Sequence, residues 1–374
     1  MASERVKRTI REHLRRSGVQ INGDRPFDVH VKDEAFYDAV HKDGLGGARD
    51  AYVDGLWDTE QLDELTCRLL RAAVAIPHAN RARLWIGQLA GRLTNLQHGG
   101  RGIRVRRHYD LGNDLFTAML DPLMTYSCGY WRDATSLAEA QEAKLELVCR
   151  KLGLGPGMRV LDIGCGWGSF ARYAAERHGV RVVGITISER QLEYGRRLCA
   201  GLPVELRLQD YRTLGDTERF DAVVSIGMFE HVGPKNYARY LALVRRCLPP
   251  ERLFLLHTIG GLETSHAIDP WIDRNIFPDA VLPSAPQIAE ACQGIFVMED
   301  WHNFGTDYDR TLMAWFDNFD RSWSTLRAVY GDRFYRLWKC YLLTCAGTFR
   351  ARAHQLWQVV LSRDGVPGGH RSVR

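Results

Sequence analysis

The sequence contains no hydrophobic run that approaches the roughly 18 residues needed to cross a membrane. Its first residues, MASERVKRTIREHLRR, lack the apolar stretch of a signal peptide. The nine cysteines form no CxxC pair and show no regular spacing, which argues against a disulfide framework and a zinc ribbon. We therefore predict a cytoplasmic protein that is not integral to a membrane.

The composition is that of an ordinary globular protein, with 45% hydrophobic and 25% charged residues and a net charge of +5. Basic residues cluster at two places, which are Lys7, Arg8, Arg11, Arg15 and Arg16, and then Arg101, Arg104, Arg106 and Arg107. Each cluster can face an anionic phospholipid surface or a nucleic acid, and a solvated helix face explains each equally well.

The periodicity of apolar residues changes near residue 100. In segment 62–75, Leu62, Leu65, Leu69 and Leu70 fall on one stripe of a helix. The basic, glycine-containing stretch 97–110 then breaks the pattern. We predict a small, mostly helical N-terminal domain with a linker over residues 1–100 and a second domain over residues 101–374.

Beyond residue 135, segments typical of strands alternate with helical sequence. These segments are MRVLDIG, VRVVGIT, VELRLQD, FDAVVSIG and RLFLLHTI. Near-continuous apolar runs between helices indicate a parallel sheet buried on both faces. We predict an α/β fold with a doubly wound, Rossmann-like sheet, to which segments 296–304 and 356–363 add two further strands.

A glycine-rich turn, DIGCGWG (162–168), follows the first of these strands. Its spacing is GxGxG after an acid, whereas the dinucleotide fingerprint is GxGxxG. This favours S-adenosylmethionine over NAD, and a tight strand-to-helix turn without a ligand is the alternative.

The next two strands end in polar residues. Thr186 stands where an acid for ribose hydroxyls is usual, so a ribose contact must come from elsewhere, for example from Thr186 or Gln191. Asp210 ends the third strand and suits an adenine amino group or a ribose, and a helix N-cap is the alternative.

Motifs along the chain resemble the bacterial cyclopropane-fatty-acyl-phospholipid synthases, in that family's order and from about residue 20 to the end. They are HYDLGNDLF, TYSCGYW, VLDIGCGWGS, GITIS, GMFEHVGPKNY, LHTIG, DPWI, IFPDAVLPS, MEDWHNFG and FRARAHQLWQVV. The segments INGDRPFDVHV and AYVDGLWD resemble the extra domain of the phospholipid-acting members, which the mycolic acid cyclopropane synthases lack. The resemblance thus favours a phospholipid substrate.

The resemblance implies two sets of site residues. The cofactor contacts would be Tyr126, Ser127, Asp162, Gly164, Cys165, Gly166, Gly168, Thr186, Gln191, Asp210 and Tyr211. A bicarbonate ion would be held by Cys128, Glu230, His257, the backbone of Ile259, and Tyr308, and a further family cysteine once assigned as the active residue corresponds to Cys345. No step of the chemistry requires a thiolate at Cys345.

The implied reaction adds a methylene group from S-adenosylmethionine across a cis double bond of a phospholipid acyl chain. An alkene is a weak nucleophile, so the donor must be a strong electrophile, and ring closure needs a base for a proton of the added methyl group. We expect bicarbonate to be that base and Glu230 to accept its O–H. The same Cys, Glu, His and Tyr residues can alternatively bind a transition metal.

Two other functions stay open: a related methyltransferase that gives a methyl-branched lipid or methylates a small amine, and an inactive lipid-binding protein on the same scaffold. The resemblance also implies a homodimer and no nucleic-acid partner. Because the substrate lies in a bilayer, we expect the N-terminal helical unit to bind the inner face of the membrane reversibly.

Overall fold

The computed structural model describes residues 2–73, 111–267 and 269–374. Its helices run over Glu4–Arg16 (α1), Ala35–Val53 (α2), Leu62–Arg71 (α3), Asn113–Met119 (α4), Leu137–Lys151 (α5), Ser169–His178 (α6), Glu189–Leu198 (α7), Tyr237–Cys247 (α8), Pro270–Asn275 (α9), Ala285–Cys292 (α10), Asp307–Arg321 (α11) and Trp323–Arg350 (α12). None of the helices in these ranges is long and apolar enough to span a membrane.

The strands run over His30–Val31 (β1), Trp57–Asp58 (β2), Arg159–Ile163 (β3), Arg181–Thr186 (β4), Val204–Leu208 (β5), Ala222–Ile226 (β6), Leu253–Gly261 (β7), Val297–Asn303 (β8) and His354–Ser362 (β9). Short 3₁₀ turns cover Tyr211–Thr213, Phe229–His231 and Pro234–Asn236. Every strand predicted beyond residue 135 is present.

The chain forms two compact units. The described part of the first, the helical unit, consists of residues 2–73, 269–276 and 308–354. The described part of the second, the sheet unit, consists of residues 111–267, 277–307 and 355–374. The units therefore differ from the two consecutive segments predicted from the sequence, and the predicted boundary near residue 100 lies outside the described residues.

The helical unit combines segments that are far apart in sequence because their side chains and backbones fit closely. Gly347 of α12 lies so near α3 that a Cβ there would meet the Asp63 carbonyl oxygen at 2.2 Å. Arg350, at the end of α12, pairs with Asp63 at 2.6 Å and with Asp309 of α11 at 2.9 Å. These long-range contacts explain why residues 308–354 join the N-terminal helices.

Two helices of this unit bury their apolar faces. In α1, Ile10 and Leu14 are buried, and Ser3 caps the helix by accepting a hydrogen bond from the Val6 N–H. In α3, Leu62 and Leu65 of the predicted stripe are buried, whereas Leu69 and Leu70 are half-buried. The helix ends at Arg71, and residues 74 and 75 of the predicted helix lie outside the described residues.

The sheet unit is built on a seven-stranded sheet in the order β5-β4-β3-β6-β7-β9-β8. Strands β3 to β7 pair in parallel, and β8 runs antiparallel to β9. Apolar side chains on both faces, such as Val160 and Leu161 in β3, are fully buried, as expected for a sheet between two helical layers.

The strand order reverses between β3 and β6. From β3 the chain continues outward to β4 and β5, and from β6 it continues in the opposite direction to β7. Loops that leave neighbouring strands in opposite directions open a crevice at the carboxyl ends of those strands, and this is where doubly wound sheets bind ligands. The predicted fold class is confirmed.

Candidate active site

A cavity lies at the carboxyl ends of β3, β4, β5 and β6. Ten of the eleven residues predicted to contact a cofactor line it, namely Tyr126, Ser127, Asp162, Gly164, Cys165, Gly166, Thr186, Gln191, Asp210 and Tyr211. The remaining one, Gly168, precedes α6 in the left-handed conformation, with φ of 86°. The geometry therefore brings the predicted cofactor residues together.

The glycine turn between β3 and α6 needs two glycines for different reasons. Gly164 has φ of 83°, and a Cβ there would meet the Met228 Cβ at 2.8 Å. Gly166 has φ of 55°, but nothing lies within 4 Å of the position of its Cβ. Hydrogen bonds from the N–H groups of Gly164 and Cys165 to the Ile185 carbonyl fix the turn against β4.

Thr186 and Gln191, the two candidates for a ribose contact, are hydrogen bonded to each other. The Thr186 hydroxyl donates to Gln191 Oε1 at 2.9 Å. Ser188 caps α7, since its hydroxyl accepts from the Gln191 N–H. The start of α7 therefore holds both side chains at the cavity wall.

Asp210 both lines the cavity and caps the 3₁₀ turn that follows β5. Its carboxylate accepts the Arg212 N–H at 2.9 Å and pairs with the Arg212 guanidinium, with one contact at 2.6 Å. Burial acts against ionisation, but these hydrogen bonds outweigh it and hold the pKa of Asp210 below its ordinary value. The N-cap interpretation is thus correct, and it is compatible with a place at the cavity.

The segment that carries Tyr126, Ser127 and Cys128 is attached to the sheet unit by side chains of helices. Gln141 of α5 donates to the Ser127 carbonyl at 2.7 Å, and Lys144 donates to the Ser127 hydroxyl at 2.9 Å. The Ser169 hydroxyl of α6 donates to the Met124 carbonyl at 3.0 Å. These bonds fix one wall of the cavity.

Several cavity residues were not predicted from the sequence. They are Met124, Lys144, Gln209, Arg212, Met228, His231 and Asp279, among others. For Lys144 a signal was present, because the lysine interrupts the apolar face that Leu145 and Val148 share on α5. His231 directly follows the predicted Glu230.

Glu230 is 5% exposed and lies in the 3₁₀ turn after β6, between the cavity residues Met228 and His231. Its Oε1 accepts a hydrogen bond from the Ile259 N–H at 2.7 Å. The backbone N–H that was predicted to hold bicarbonate therefore donates to Glu230 instead. Its Oε2 is buried without a hydrogen-bond partner among the described residues. Burial raises the pKa of Glu230 to about 7.

His257 lies in β7, two residues before Ile259 and next to β6, where its Cα pairs with that of Ile226. The Gln358 amide Nε2 is 3.3 Å from His257 Nδ1, so a donated hydrogen bond places the ring proton on Nε2. That Nε2 is buried and has no partner among the described residues. Burial lowers the pKa of His257 well below its ordinary value, and the imidazole is neutral.

An aromatic ring packs against this histidine, and a second ring packs against the first. The Phe304 ring lies 5.9 Å from that of His257, and the Tyr130 ring lies 5.3 Å from that of Phe304. Such rings exclude water and present π-faces that can stabilise positive charge.

The three other predicted catalytic residues lie in different surroundings. Cys128 is fully buried, and its thiol donates to the Gly129 carbonyl at 3.2 Å. Tyr308 and Cys345 belong to the helical unit, where the Tyr308 ring stacks on Phe349 at 4.6 Å. Burial raises the pKa of the Cys345 thiol to about 12, so this cysteine is not a thiolate at neutral pH.

The described residues contain no group of three or more His, Cys, Asp or Glu side chains placed to hold a metal ion. The sheet order, the glycine turn and the cavity at the strand ends define the fold of the S-adenosylmethionine-dependent methyltransferases.

Comparison with known proteins identifies the family. The family model described as mycolic acid cyclopropane synthetase matches residues 100–359, and the chain belongs to this family. It is 52% identical over 370 residues to the cyclopropane-fatty-acyl-phospholipid synthase of Escherichia coli (strain K12), covering 98% of this chain and 96% of the relative.

Shorter relatives match only part of the chain. Cyclopropane mycolic acid synthase 1 of Mycobacterium tuberculosis (strain H37Rv) is 37% identical over 266 residues, which are 66% of this chain and 92% of that protein. The crystal structure of the mycolic acid cyclopropane synthase CmaA1 complexed with SAH and CTAB is 34% identical, with a TM-score of 0.65, and covers 70% of this chain and 98% of that one.

Proposed function

We propose that this protein transfers a methylene group from S-adenosylmethionine to the cis double bond of an unsaturated acyl chain in a membrane phospholipid, forming a cyclopropane ring. Its full-length similarity to a phospholipid-acting synthase supports this substrate, since the match to a mycolic acid synthase covers only 66% of the chain. The observation that carries the proposal is that Glu230 Oε2 and His257 Nε2 are each buried without a hydrogen-bond partner among the described residues, and Glu230 lies in the sequence between the cavity residues Met228 and His231.

The reaction requires a methyl transfer followed by the loss of a proton. The alkene attacks the methyl carbon of the sulfonium, which forms a carbon–carbon bond, releases S-adenosylhomocysteine and leaves a carbocation on the acyl chain. A proton then leaves the added methyl group, and its bonding electrons close the ring. The protein must therefore exclude water from the cation and direct a base to the methyl group.

The chemistry of the unpaired atoms of Glu230 and His257 supports bicarbonate as the bound ion. His257 Nε2–H can donate a hydrogen bond and Glu230 Oε2 can accept one, and bicarbonate has both an acceptor oxygen and an O–H donor. In the sheet unit, the side chains that would hold it are those of Cys128, Glu230 and His257, while the Ile259 N–H already donates to Glu230 Oε1. When bound there, bicarbonate supplies the general base.

Neighbouring groups of the protein orient the side chains of His257 and Glu230. Gln358 orients the His257 ring and directs its N–H toward the site, while the Ile259 N–H fixes the Glu230 carboxylate. Phe304 and Tyr130 shield the histidine from water.

The proposal is tested with purified protein, S-adenosylmethionine and vesicles of unsaturated phospholipid in buffer depleted of carbon dioxide. We expect acyl chains one methylene heavier that resist mild hydrogenation, formed at a rate that rises when bicarbonate is added back. Products that take up hydrogen under the same mild conditions and give a methyl-branched chain would contradict the presence of a ring. A rate that does not depend on bicarbonate would contradict its role as the base.

We also propose that the helical unit binds the cytoplasmic face of the membrane reversibly. The apolar face of α1 is buried, whereas Arg5, Arg8, Arg11, Arg15 and Arg16 are exposed. The basic residues near an anionic surface contribute about 1 kcal/mol each. The proposed contact is therefore electrostatic, and the second basic cluster, Arg101 to Arg107, lies outside the described residues.

A further inference from the structure

Lys144 is a buried cation at the wall of the cofactor cavity. The residue is 1% exposed, lines the cavity and donates from Nζ to the Ser127 hydroxyl at 2.9 Å. A buried ammonium is costly unless other groups compensate it, so a lysine at this position requires a reason.

The first reason is local. Gln141 lies one helical turn before Lys144 on α5 and donates to the Ser127 carbonyl at 2.7 Å. The carbonyl and the hydroxyl of Ser127 are therefore both held by one helix. The start of that helix is itself fixed by a capping box between Ser136 and Glu139.

The second reason is the charge pattern of the cavity. Asp162 also lines the cavity and is 2% exposed. The wall of the cavity therefore carries a buried basic side chain, Lys144, and a buried acidic one, Asp162. The amino-acid end of S-adenosylmethionine carries an ammonium and a carboxylate. A ligand with both charges can satisfy both side chains, and each interaction is strong because the site is shielded from water.

We propose that Lys144 is a positioning residue for the methyl donor: it holds Ser127 at the cavity wall and supplies the positive charge that recognises the carboxylate of the donor's amino-acid end. The inference rests on the proposed function only in that it takes an S-adenosyl compound as the ligand of the cavity. It assigns Asp162 to the ammonium of the same ligand.

A purely structural lysine would behave differently. In this alternative, the only role of Lys144 is to neutralise the carboxylates of Asp121 and Asp162, which act on it electrostatically. In that case, replacing Lys144 lowers the stability of the protein and weakens the binding of all ligands of the cavity to the same extent. Two ligands that differ only at the amino-acid end therefore separate the two roles.

The test measures binding of S-adenosylhomocysteine and of 5′-methylthioadenosine, which lacks the amino-acid end, by isothermal titration calorimetry. In Lys144→Met we expect affinity for S-adenosylhomocysteine to fall about tenfold or more, as for the truncation of one partner of a buried charge pair. Affinity for 5′-methylthioadenosine should stay at the wild-type value. Lys144→Gln, which keeps a donor for Ser127 but no charge, should show the same selective loss.

Lys151→Met provides a matched control. Lys151 lies two turns further along α5, is fully buried, and has its Nζ 3.6 Å from Asp300 Oδ2, but it does not line the cavity. Its removal should leave both affinities unchanged. The proposal would be overturned if Lys144→Met lost the same affinity for both ligands, or lost affinity for neither. A wild-type protein that binds S-adenosylhomocysteine but forms no cyclopropane would instead overturn the proposed function.

Discussion

Burial acts on Glu230 and His257 in the same sense, since it favours the neutral form of each. It raises the pKa of Glu230 to about 7 and lowers that of His257 well below its ordinary value. Near pH 7 the histidine is therefore a neutral hydrogen-bond donor, while the carboxyl group is close to the midpoint of its titration. Glu230 is the group whose charge should control the pH dependence of the reaction.

Glu230→Gln tests this role through activity. If the ionised carboxylate must accept a proton, wild-type turnover should rise as the pH increases through about 7. The variant keeps an oxygen for the Ile259 N–H but has no charge. We therefore expect its rate at pH 8 to be at least about 100-fold lower than that of the wild type, and to show no increase with pH. The measurement is kcat on vesicles between pH 6 and pH 8.5. A variant that keeps the wild-type profile would exclude Glu230 as the titrating group.

The same variant should be more stable than the wild type above neutral pH. The pKa of Glu230 is raised from 4.5 to about 7, so the folded protein binds this proton more tightly than the unfolded chain. The wild-type free energy of unfolding should therefore fall, relative to the variant, as the pH rises from 4.5 to 7, by about 3 kcal/mol in total. Urea unfolding at pH 5 and pH 8 measures the difference, and an equal difference at both values would contradict it.

At the scale of single elements, the turn between β3 and α6 lines the cavity with glycine backbone. Its glycines are not equivalent, because Gly164 has both a positive φ and a close neighbour, whereas Gly166 has a positive φ alone. This difference gives a matched pair of substitutions within one turn.

Gly164→Ala should weaken binding of S-adenosylhomocysteine more than Gly166→Ala does. The alanine at Gly166 costs about 1 to 2 kcal/mol of backbone strain. The alanine at Gly164 adds a clash with Met228 at 2.8 Å, which must displace the neighbouring cavity wall. Calorimetric affinities of both variants test the order. Equal losses would show that the contact with Met228 does not matter.

The packing of α12 on α3 gives a prediction about the helical unit. Gly347→Ala places a Cβ 2.2 Å from the Asp63 carbonyl oxygen, so the two helices must separate, at a cost of about 1 to 3 kcal/mol. The control is Gly155→Ala in the sheet unit, where nothing lies within 4 Å of the added Cβ. Urea unfolding should show a loss of stability for the first variant alone. Equal stability of the two variants would contradict the packing of residues 308–354 with the N-terminal helices.

The strands were predictable from the sequence because each is a short apolar run whose pattern is local. The cofactor turn was predictable because its glycines recur at a fixed spacing. The set of chain segments that form the helical unit could not be predicted in this way. The close packing of Gly347 against Asp63 joins residues that are far apart in sequence and leaves no local pattern. Lys144 left a local signal, a lysine within the apolar face of α5, but that signal did not identify its partner, Ser127, which lies 17 residues earlier in a separate element.

At the scale of the whole molecule, the proposed substrate lies in a bilayer, and no helix of the described residues is long and apolar enough to span a membrane. The proposed membrane contact is the set of exposed arginines on α1, and it depends on charge. We expect the triple variant Arg5→Gln, Arg8→Gln, Arg15→Gln to bind anionic vesicles less tightly by about 3 kcal/mol at low salt. Vesicle co-sedimentation at increasing salt measures the effect, because screening should remove the difference.

The control for this variant removes the same charge elsewhere. Arg177, Arg181 and Arg239 are exposed in the sheet unit, and their replacement by Gln changes the net charge equally. This control should bind vesicles as the wild type does. If both triple variants lose the same affinity, net charge rather than the face of α1 determines binding.

In the proposed reaction, the added carbon becomes a ring methylene because the protein directs a base to the transferred methyl group. The most direct test supplies S-adenosylmethionine with a trideuterated methyl group and counts deuterium in the product by mass spectrometry. Ring closure with loss of a proton from that methyl group predicts acyl chains that retain two deuterium atoms. A product that retains all three would show that the methyl group was not deprotonated, and would contradict cyclopropane formation by this protein.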